Sequence, residues 1–248
     1  MLEVNNISKS FGEHKILENI NFKLNSGESL VLVGESGSGK TTLSKIIIGL
    51  EQNYGGSIIF HGKKLNKNYR KRDFHDLAAI QYIFQDPYSA LEPSFTLEQT
   101  LMETVRICKR NKYKPMDMDE ALALVDNKFI NYKHRKISTF SGGQQQKICI
   151  ARALMTHPKL IIADEATSML DYDNKIEINN LLNRLKDKFG LSIIAIIHDV
   201  DFNYNSWDKI AVLNNRMLVD FMEFKDFFKY ALSDYANELI DSHRYFYG

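Results

Sequence analysis

Residues 34–41 read Gly-Glu-Ser-Gly-Ser-Gly-Lys-Thr, fitting the pattern G-x-x-x-x-G-K-[S/T], and they narrow the fold before any other part of the chain does. Leu30 to Val33, just before them, are continuously apolar, as a strand covered on both faces should be, and a helix pattern follows. In a strand, glycine-rich loop and helix of this order, successive backbone N–H groups converge on phosphate oxygens and the helix dipole adds its positive end. Lys40 then brings a charge to the β- and γ-phosphates, and the Thr41 hydroxyl can ligate Mg²⁺. A nucleoside triphosphate site is the reading these residues support by themselves.

The surrounding pattern is α/β. Short β-type runs at Leu2 to Ile7, Leu17 to Leu24 and Ser57 to Phe60 predict a largely antiparallel N-terminal layer beside the buried strand. Two further buried runs, Leu160 to Ala163 and Ser192 to Ile197, bracket a stretch in which Ile178, Leu181, Leu182 and Leu185 recur on one helical face. That order is a βαβ unit and implies parallel strands. Between Asp86 and Thr139 the pattern is helical, with Leu97, Leu101 and Val105 at i, i+4 and i+8, and then Ala121, Leu122 and Val125. Asn214-Asn215 between two apolar runs predicts a hairpin, and the aromatic tail from Phe221 is expected to be helical.

Chemistry gathers where buried strands end. Asp164-Glu165 closes the run Leu160 to Ala163, and the C-terminal ends of parallel strands face the ligand crevice, so Asp164 is expected toward Mg²⁺ and Glu165 toward the attacking water. His198 ends the next run in the same way. Ser141-Gly142-Gly143-Gln144 precedes a helix pattern that runs to Thr156, and small residues there make a second anion site that one phosphate loop does not need. A second site points to a second molecule.

Composition removes several classes. A chain of 248 residues, 44% hydrophobic and 25% charged, can bury a full core. Lys and Arg number 32 against 31 Asp and Glu, so no overall basic field recommends a nucleic-acid partner. Cys108 and Cys149 stand far apart in sequence with no paired motif, which fits a reducing compartment. The start MLEVNNISKSF lacks the apolar core of a signal peptide, and the apolar windows fall far short of the roughly 20 residues of a membrane-spanning helix. Any membrane role is therefore expected to run through a partner.

Taken together, the loop Gly34 to Thr42, Gln85 in Phe84-Gln85-Asp86-Pro87, Phe140-Ser141-Gly142-Gly143-Gln144, the strand Leu160 to Glu165, Ser168 to Asp171 and His198-Asp199 carry a family resemblance. The chain resembles the nucleotide-binding subunit of an ABC transporter over nearly its whole length. The resemblance implies a single ABC ATPase domain over residues 1–248: a P-loop α/β core of residues 1–85 and 141–248, with mixed sheet and antiparallel N-terminal layer, and an inserted helical subdomain at 86–140. It implies a head-to-tail dimer with two ATP molecules, each held by Gly34, Glu35, Ser36, Gly37, Ser38, Gly39, Lys40, Thr41 and Thr42 of one chain. Ser141, Gly142, Gly143 and Gln144 of the other chain would contact the same ATP, with Asp171 linking the two sites. Phe11 would stack on adenine; Thr41, Gln85 and Asp164 would serve Mg²⁺; Gln85 would also sense the water; Glu165 would be the general base and His198 would touch the γ-phosphate.

The run Gln81 to Pro93 is similar to that of ATPases in the peptide and nickel importer group, and the absence of cysteine after Cys149 is closer to its short nickel or metal-chelate members. Implied partners are integral membrane permeases, a second and related ATPase rather than a second copy, and an extracytoplasmic substrate-binding protein. The implied location is the cytoplasmic side of the membrane. Departures from the family pattern are Ala166 for a proline, Met169 for alanine, Ile197 for threonine, and Gln145 and Lys147 for arginines. The alternative is a soluble non-transport ATPase of the same type, acting as a regulatory or nucleic-acid-handling switch. The single set of motifs, the lack of heptads and the neutral charge count against it.

Overall fold

Leu2, Val4 and Ile7 are fully buried while the residues between them are not, and this alternation builds the first layer of the protein. The computed structural model describes residues 1–197 and 207–247, with side chains as far as Asp241. In chain order the elements are β1 (Leu2–Phe11), β2 (His14–Leu24), β3 (Ser29–Gly34), α1 (Lys40–Ile48), β4 (Gly55–Phe60) and β5 (Lys63–Lys64). Then come α2 (Phe74–Ala79), β6 (Ile80–Ile83), α3 (Pro87–Ala90), α4 (Leu97–Arg110), α5 (Met118–Val125), α6 (Gly142–Leu154), β7 (Leu160–Asp164) and α7 (Tyr172–Phe189). The chain continues through β8 (Ser192–Ile196), β9 (Lys209–Asn214), β10 (Met217–Glu223), α8 (Phe224–Tyr230) and α9 (Asp234–Tyr247). These elements form two compact units, Met1–Asp73 with the chain from Ser192 onward, and Phe74–Leu191.

In the first unit the antiparallel layer has the order β2-β1-β4-β5. Cross-strand pairs such as Leu2 with Leu24 and Val4 with Phe22 stack apolar residues on one face. Asn6 and Asn19 take up left-handed backbone where the register shifts, a conformation asparagine tolerates better than most side chains. Beside this layer β3 pairs in parallel with both β8 and β9, and β9 pairs antiparallel with β10. All six residues of β3 are buried, as the continuous apolar run requires. The Asp208 carboxylate accepts from the Ser29 N–H (2.8 Å) and hydroxyl (2.7 Å), which pins the start of β9 to the start of β3. Arg72, also buried, donates to the carbonyls of Ile47 (2.8 Å) and Asn66 (2.8 Å), placing a cation at the negative end of α1. The tail differs from expectation at its start. Phe221 to Glu223 remain in β10, because Phe221 pairs with Ala211 and Glu223 with Lys209, and helix begins only at Phe224.

In the second unit β6 and β7 pair in parallel, Ile80 with Leu160 through Ile83 with Ala163. The helix α6 is its centre, packed by α3, α4, α5 and α7. Ile178, Leu181, Leu182 and Leu185 are buried on one face of α7, as their spacing predicts. Phe129 and Phe140, both buried, meet edge to face at 5.6 Å. Burial raises the Cys149 thiol to about 11, so it is an inert core residue. Among the described residues no helix is long and apolar enough to cross a membrane.

Candidate functional site

The end of β3 decides the geometry of the phosphate loop. Gly34 pairs with Leu213 at φ +155°, and a Cβ there would lie 2.1 Å from the Leu213 carbonyl oxygen. The chain can therefore leave the strand here only as glycine. The loop closes by a Ser38 N–H to Glu35 carbonyl bond (3.1 Å) and enters α1 at Gly39, which offers no side-chain cap. No acidic residue stands in the first turn of α1, so its positive end is left to a ligand. Lys40 is buried, and its ammonium folds into the loop to donate to the carbonyls of Gly34 (2.7 Å) and Glu35 (2.8 Å). The Ser38 hydroxyl is buried without a hydrogen-bond partner in the structure. A buried hydroxyl without a partner costs about 1–3 kcal/mol, and a phosphate oxygen placed in the loop would remove that cost. Glu35, Ser36 and Gly37 are exposed, and Thr41 and Thr42 half-buried.

Phe11 closes β1 in the same unit and is 49% exposed, with the Lys9 ammonium 4.4 Å from its ring centroid. The hairpin carrying it lies against the loop: a Cβ on Gly39 would stand 2.7 Å from Leu17 Cδ2 and 3.1 Å from the Ile16 carbonyl.

The second unit brings the other carboxylates together at the end of β7. Asp164, buried, accepts a hydrogen bond from the Tyr82 hydroxyl of β6. Glu165 follows in left-handed backbone, φ +49°, and its carbonyl accepts from Ser168 N–H (2.9 Å). Gln85 Nε2 donates to the Ser168 hydroxyl (3.2 Å), which ties it to the turn that carries Glu165. Gln85, Asp164 and Glu165 thus share one edge of the β6–β7 pair. Among the described residues no cluster of three acidic, histidine or cysteine side chains forms a metal cage. The hydroxyl of Thr41, the carboxylate of Asp164 and the amide oxygen of Gln85 are hard donors, the kind Mg²⁺ combines with water and phosphate oxygens. Each of these groups, by its own donor chemistry, suits that ion.

Ser141 and Gln144 cap α6 reciprocally: Ser141 Oγ accepts from the Gln144 N–H (3.4 Å) and Gln144 Oε1 from the Ser141 N–H (3.0 Å). Gln145 donates to the Phe140 carbonyl (3.0 Å), and Lys147 Nζ meets Glu177 of α7 at 2.6 Å. The two residues that stand in place of arginines therefore anchor this helix from its buried side. Asp171 caps α7, accepting from the backbone N–H of Asn174 and from its side-chain amide, each at 2.9 Å. These bonds, the backbone one first, hold its carboxyl below the ordinary value. A depressed carboxyl stabilises the fold above its unfolded pKa and ceases to as pH falls through the folded one. We expect the protection of the Asn174 amide, measured against its intrinsic exchange rate at the same pH, to fall on acidification in the native chain and to be low at every pH in Asp171→Ala. Equal protection of the two chains at neutral pH would contradict the cap.

His198 lies outside the described residues. Neither Tyr82 nor Lys9 carries a sequence signal for a role at the site. Tyr82 faces Asp164 only through the β6–β7 pairing, and Lys9 is set apart from the other lysines by its burial.

The family model described as ABC transporter matches residues 17–168. The chain is similar to the oligopeptide transport ATP-binding protein OppF of Streptococcus pyogenes serotype M1, 35% identical over 253 residues, covering 98% of this chain and 81% of that protein. It is 33% identical to OppF of Bacillus subtilis over 249 residues, covering 98% and 82%. Among solved structures, cbiO1 from Clostridium perfringens, part of the ABC transporter complex cbiONQ, superposes with a TM-score of 0.80 at 25% identity, over 99% of this chain and 95% of that one. An ATP-binding cassette of an ABC transporter in its ADP conformation gives 0.79 at 26%, over 96% and 97%.

Proposed function

The chain belongs to the ABC transporter family of ATP-hydrolysing subunits, and on that premise we propose that it drives an importer whose cargo is a peptide. The similarity of nearly the whole chain to proteins named for oligopeptide transport carries the choice of cargo. Those names do not speak for nickel or a metal chelate.

In this reading Gly34 to Thr42 wraps the triphosphate. Lys40 exchanges its two loop carbonyls for β- and γ-phosphate oxygens, and Ser38 gains the partner it lacks. Phe11 stacks on adenine. Thr41, Gln85 and Asp164 would hold Mg²⁺, which when bound offsets the charge of the phosphate oxygens. Glu165 takes the proton of the attacking water, oriented by Gln85, and His198 contacts the γ-phosphate. Across the dimer, Ser141, Gly142, Gly143 and Gln144 address the nucleotide of the opposite subunit, and Asp171 links the two sites. The Ser141 oxygen accepts from Gln144 N–H, so its own O–H remains to donate to a phosphate oxygen. Fixed donors at the developing charge stabilise the transition state, so closure of the dimer and hydrolysis are coupled.

The same proposal assigns residues 1–85 and 141–248 to ATP binding and 86–140 to the helical insertion, with the surface around Gln85 to Pro93 meeting the permeases. The subunit sits peripherally on the cytoplasmic side, pairs with a related ATPase, and serves a system with its own substrate-binding protein.

The test is purification of the complex with its permeases and reconstitution into vesicles. ATP-dependent uptake of a labelled peptide is expected, with ATP binding and uptake both lost in Lys40→Ala. Uptake of a nickel chelate and not of peptide would overturn the cargo. Undiminished ATP binding by Lys40→Ala would overturn the site.

A further inference from the structure

Lys9 is an unusual lysine. It is 4% exposed in β1, and its ammonium is held at 2.8 Å by Glu51 Oε1 and at 2.8 Å by the Asn53 carbonyl, beyond the C-terminal end of α1. Glu51 is itself fixed, since its backbone N–H donates to the Lys45 carbonyl (3.1 Å) and its Oε1 also accepts from Gln52 N–H (3.1 Å). Its carboxyl is held below the ordinary value, chiefly by the Lys9 hydrogen bond. The anchored ammonium lies over the Phe11 ring, 4.4 Å from its centroid, and Phe11 as a residue is 49% exposed. Leu17, the cross-strand partner of Lys9, is the residue that approaches Gly39 at the mouth of the phosphate loop. One side chain thus links the strand bearing Phe11, the aromatic ring and the far end of the loop helix.

We propose that Lys9 is a positioning residue for nucleobase recognition, its ammonium occupying one face of Phe11 so that the other is presented to a purine. This rests on the assignment of Phe11 to the base. A ring free on both faces of an exposed hairpin end samples several rotamers, and binding must select one; a ring already covered on one side has less freedom to lose. The cation also withdraws electron density from the ring, which lowers repulsion with an electron-rich base stacked opposite. The phosphates are bound elsewhere on the loop, so the contribution belongs to the base alone.

The experiment measures equilibrium binding of ATP and of inorganic tripolyphosphate to the full chain in four forms: native, Phe11→Ala, Lys9→Met and Lys9→Arg. Phe11→Ala and Lys9→Met are each expected to weaken ATP binding roughly fivefold, the scale of a cation–π or base-stacking contact, and to leave tripolyphosphate binding as in the native chain. Lys9→Arg is expected to recover most of the ATP affinity. Should Lys9→Met not fold with Glu51 left unpaired, the double variant Lys9→Met/Glu51→Leu replaces both charges with apolar groups and carries the same expectation. Native ATP affinity in Lys9→Met beside a loss in Phe11→Ala overturns the role of Lys9 and leaves base stacking intact. Equal weakening of ATP and tripolyphosphate in Lys9→Met also overturns it, since a general loosening of the strand would do that. Native ATP affinity in Phe11→Ala removes the assignment of Phe11, and the proposal with it.

Discussion

Glu165→Gln is expected to lower ATP turnover by about 10²–10⁴-fold, the range of a lost general base, while ATP affinity stays close to that of the native chain. The amide keeps the volume and reach of the carboxylate and removes only the proton acceptor. The backbone gives a reason to expect a specific loss rather than collapse. Glu165 sits at φ +49°, a conformation that costs a non-glycine residue about 1–3 kcal/mol and persists only where the surroundings impose it. They do impose it. Asp164 before it is buried and bonded to Tyr82, Ala166 after it is 6% exposed, and the turn is closed by Ser168 N–H to Glu165 (2.9 Å) and Leu170 N–H to Thr167 (3.1 Å). These bonds hold the turn without the proline that Ala166 replaces. Glutamine inherits all of them. The check is steady-state phosphate release beside equilibrium ATP binding in the same preparation; turnover near that of the native chain would remove Glu165 from the role of base.

Legibility in the sequence followed the range of the interactions. The loop at 34–41 could be read because its chemistry is local, the glycines, lysine and threonine lying within eight positions. β3 and α7 could be read because burial stamps a run or a period on neighbouring residues. β6 could not: it has four residues, with Ile80 and Ile83 buried and Gln81 and Tyr82 half-buried, which is no strand alternation. With β6 unread, Tyr82 had no route to Asp164, 82 positions away. Lys9 and Glu51, 42 positions apart, were hidden for the same reason. The stripe on α4 shows a subtler failure. Leu97, Leu101 and Val105 fit i, i+4, i+8, yet the buried face is Leu97, Thr100, Leu101 and Cys108. At 100° per residue an i+8 position has turned about 80° from the first, whereas i+11 returns to within about 20°, so Cys108 and not Val105 continues the face.

Gly34→Ala is expected to cost more than about 4 kcal/mol of stability or to leave the chain unfolded, a loss outside the usual range for a single methyl group. Two effects act together at this position. The backbone at φ +155° is open to glycine and strained for any L side chain, and the new Cβ would stand 2.1 Å from the Leu213 carbonyl oxygen and 2.9 Å from Ser38 Oγ. The serine can rotate away. The carbonyl cannot, because it belongs to β9, which is paired to β3 from Leu30–Lys209 through Gly34–Leu213. Relief therefore requires β9 to part from β3 at the point where the phosphate loop begins. Gly37→Ala separates strain from collision: Gly37 has φ +79° with nothing within 4 Å of an added Cβ, so only the left-handed penalty of roughly 1–2 kcal/mol applies. Denaturant unfolding of both variants decides the matter. A small loss for Gly37→Ala and a large one for Gly34→Ala is expected, whereas equal midpoints would mean that β9 yields freely and that the strand pairing does not hold the loop in place.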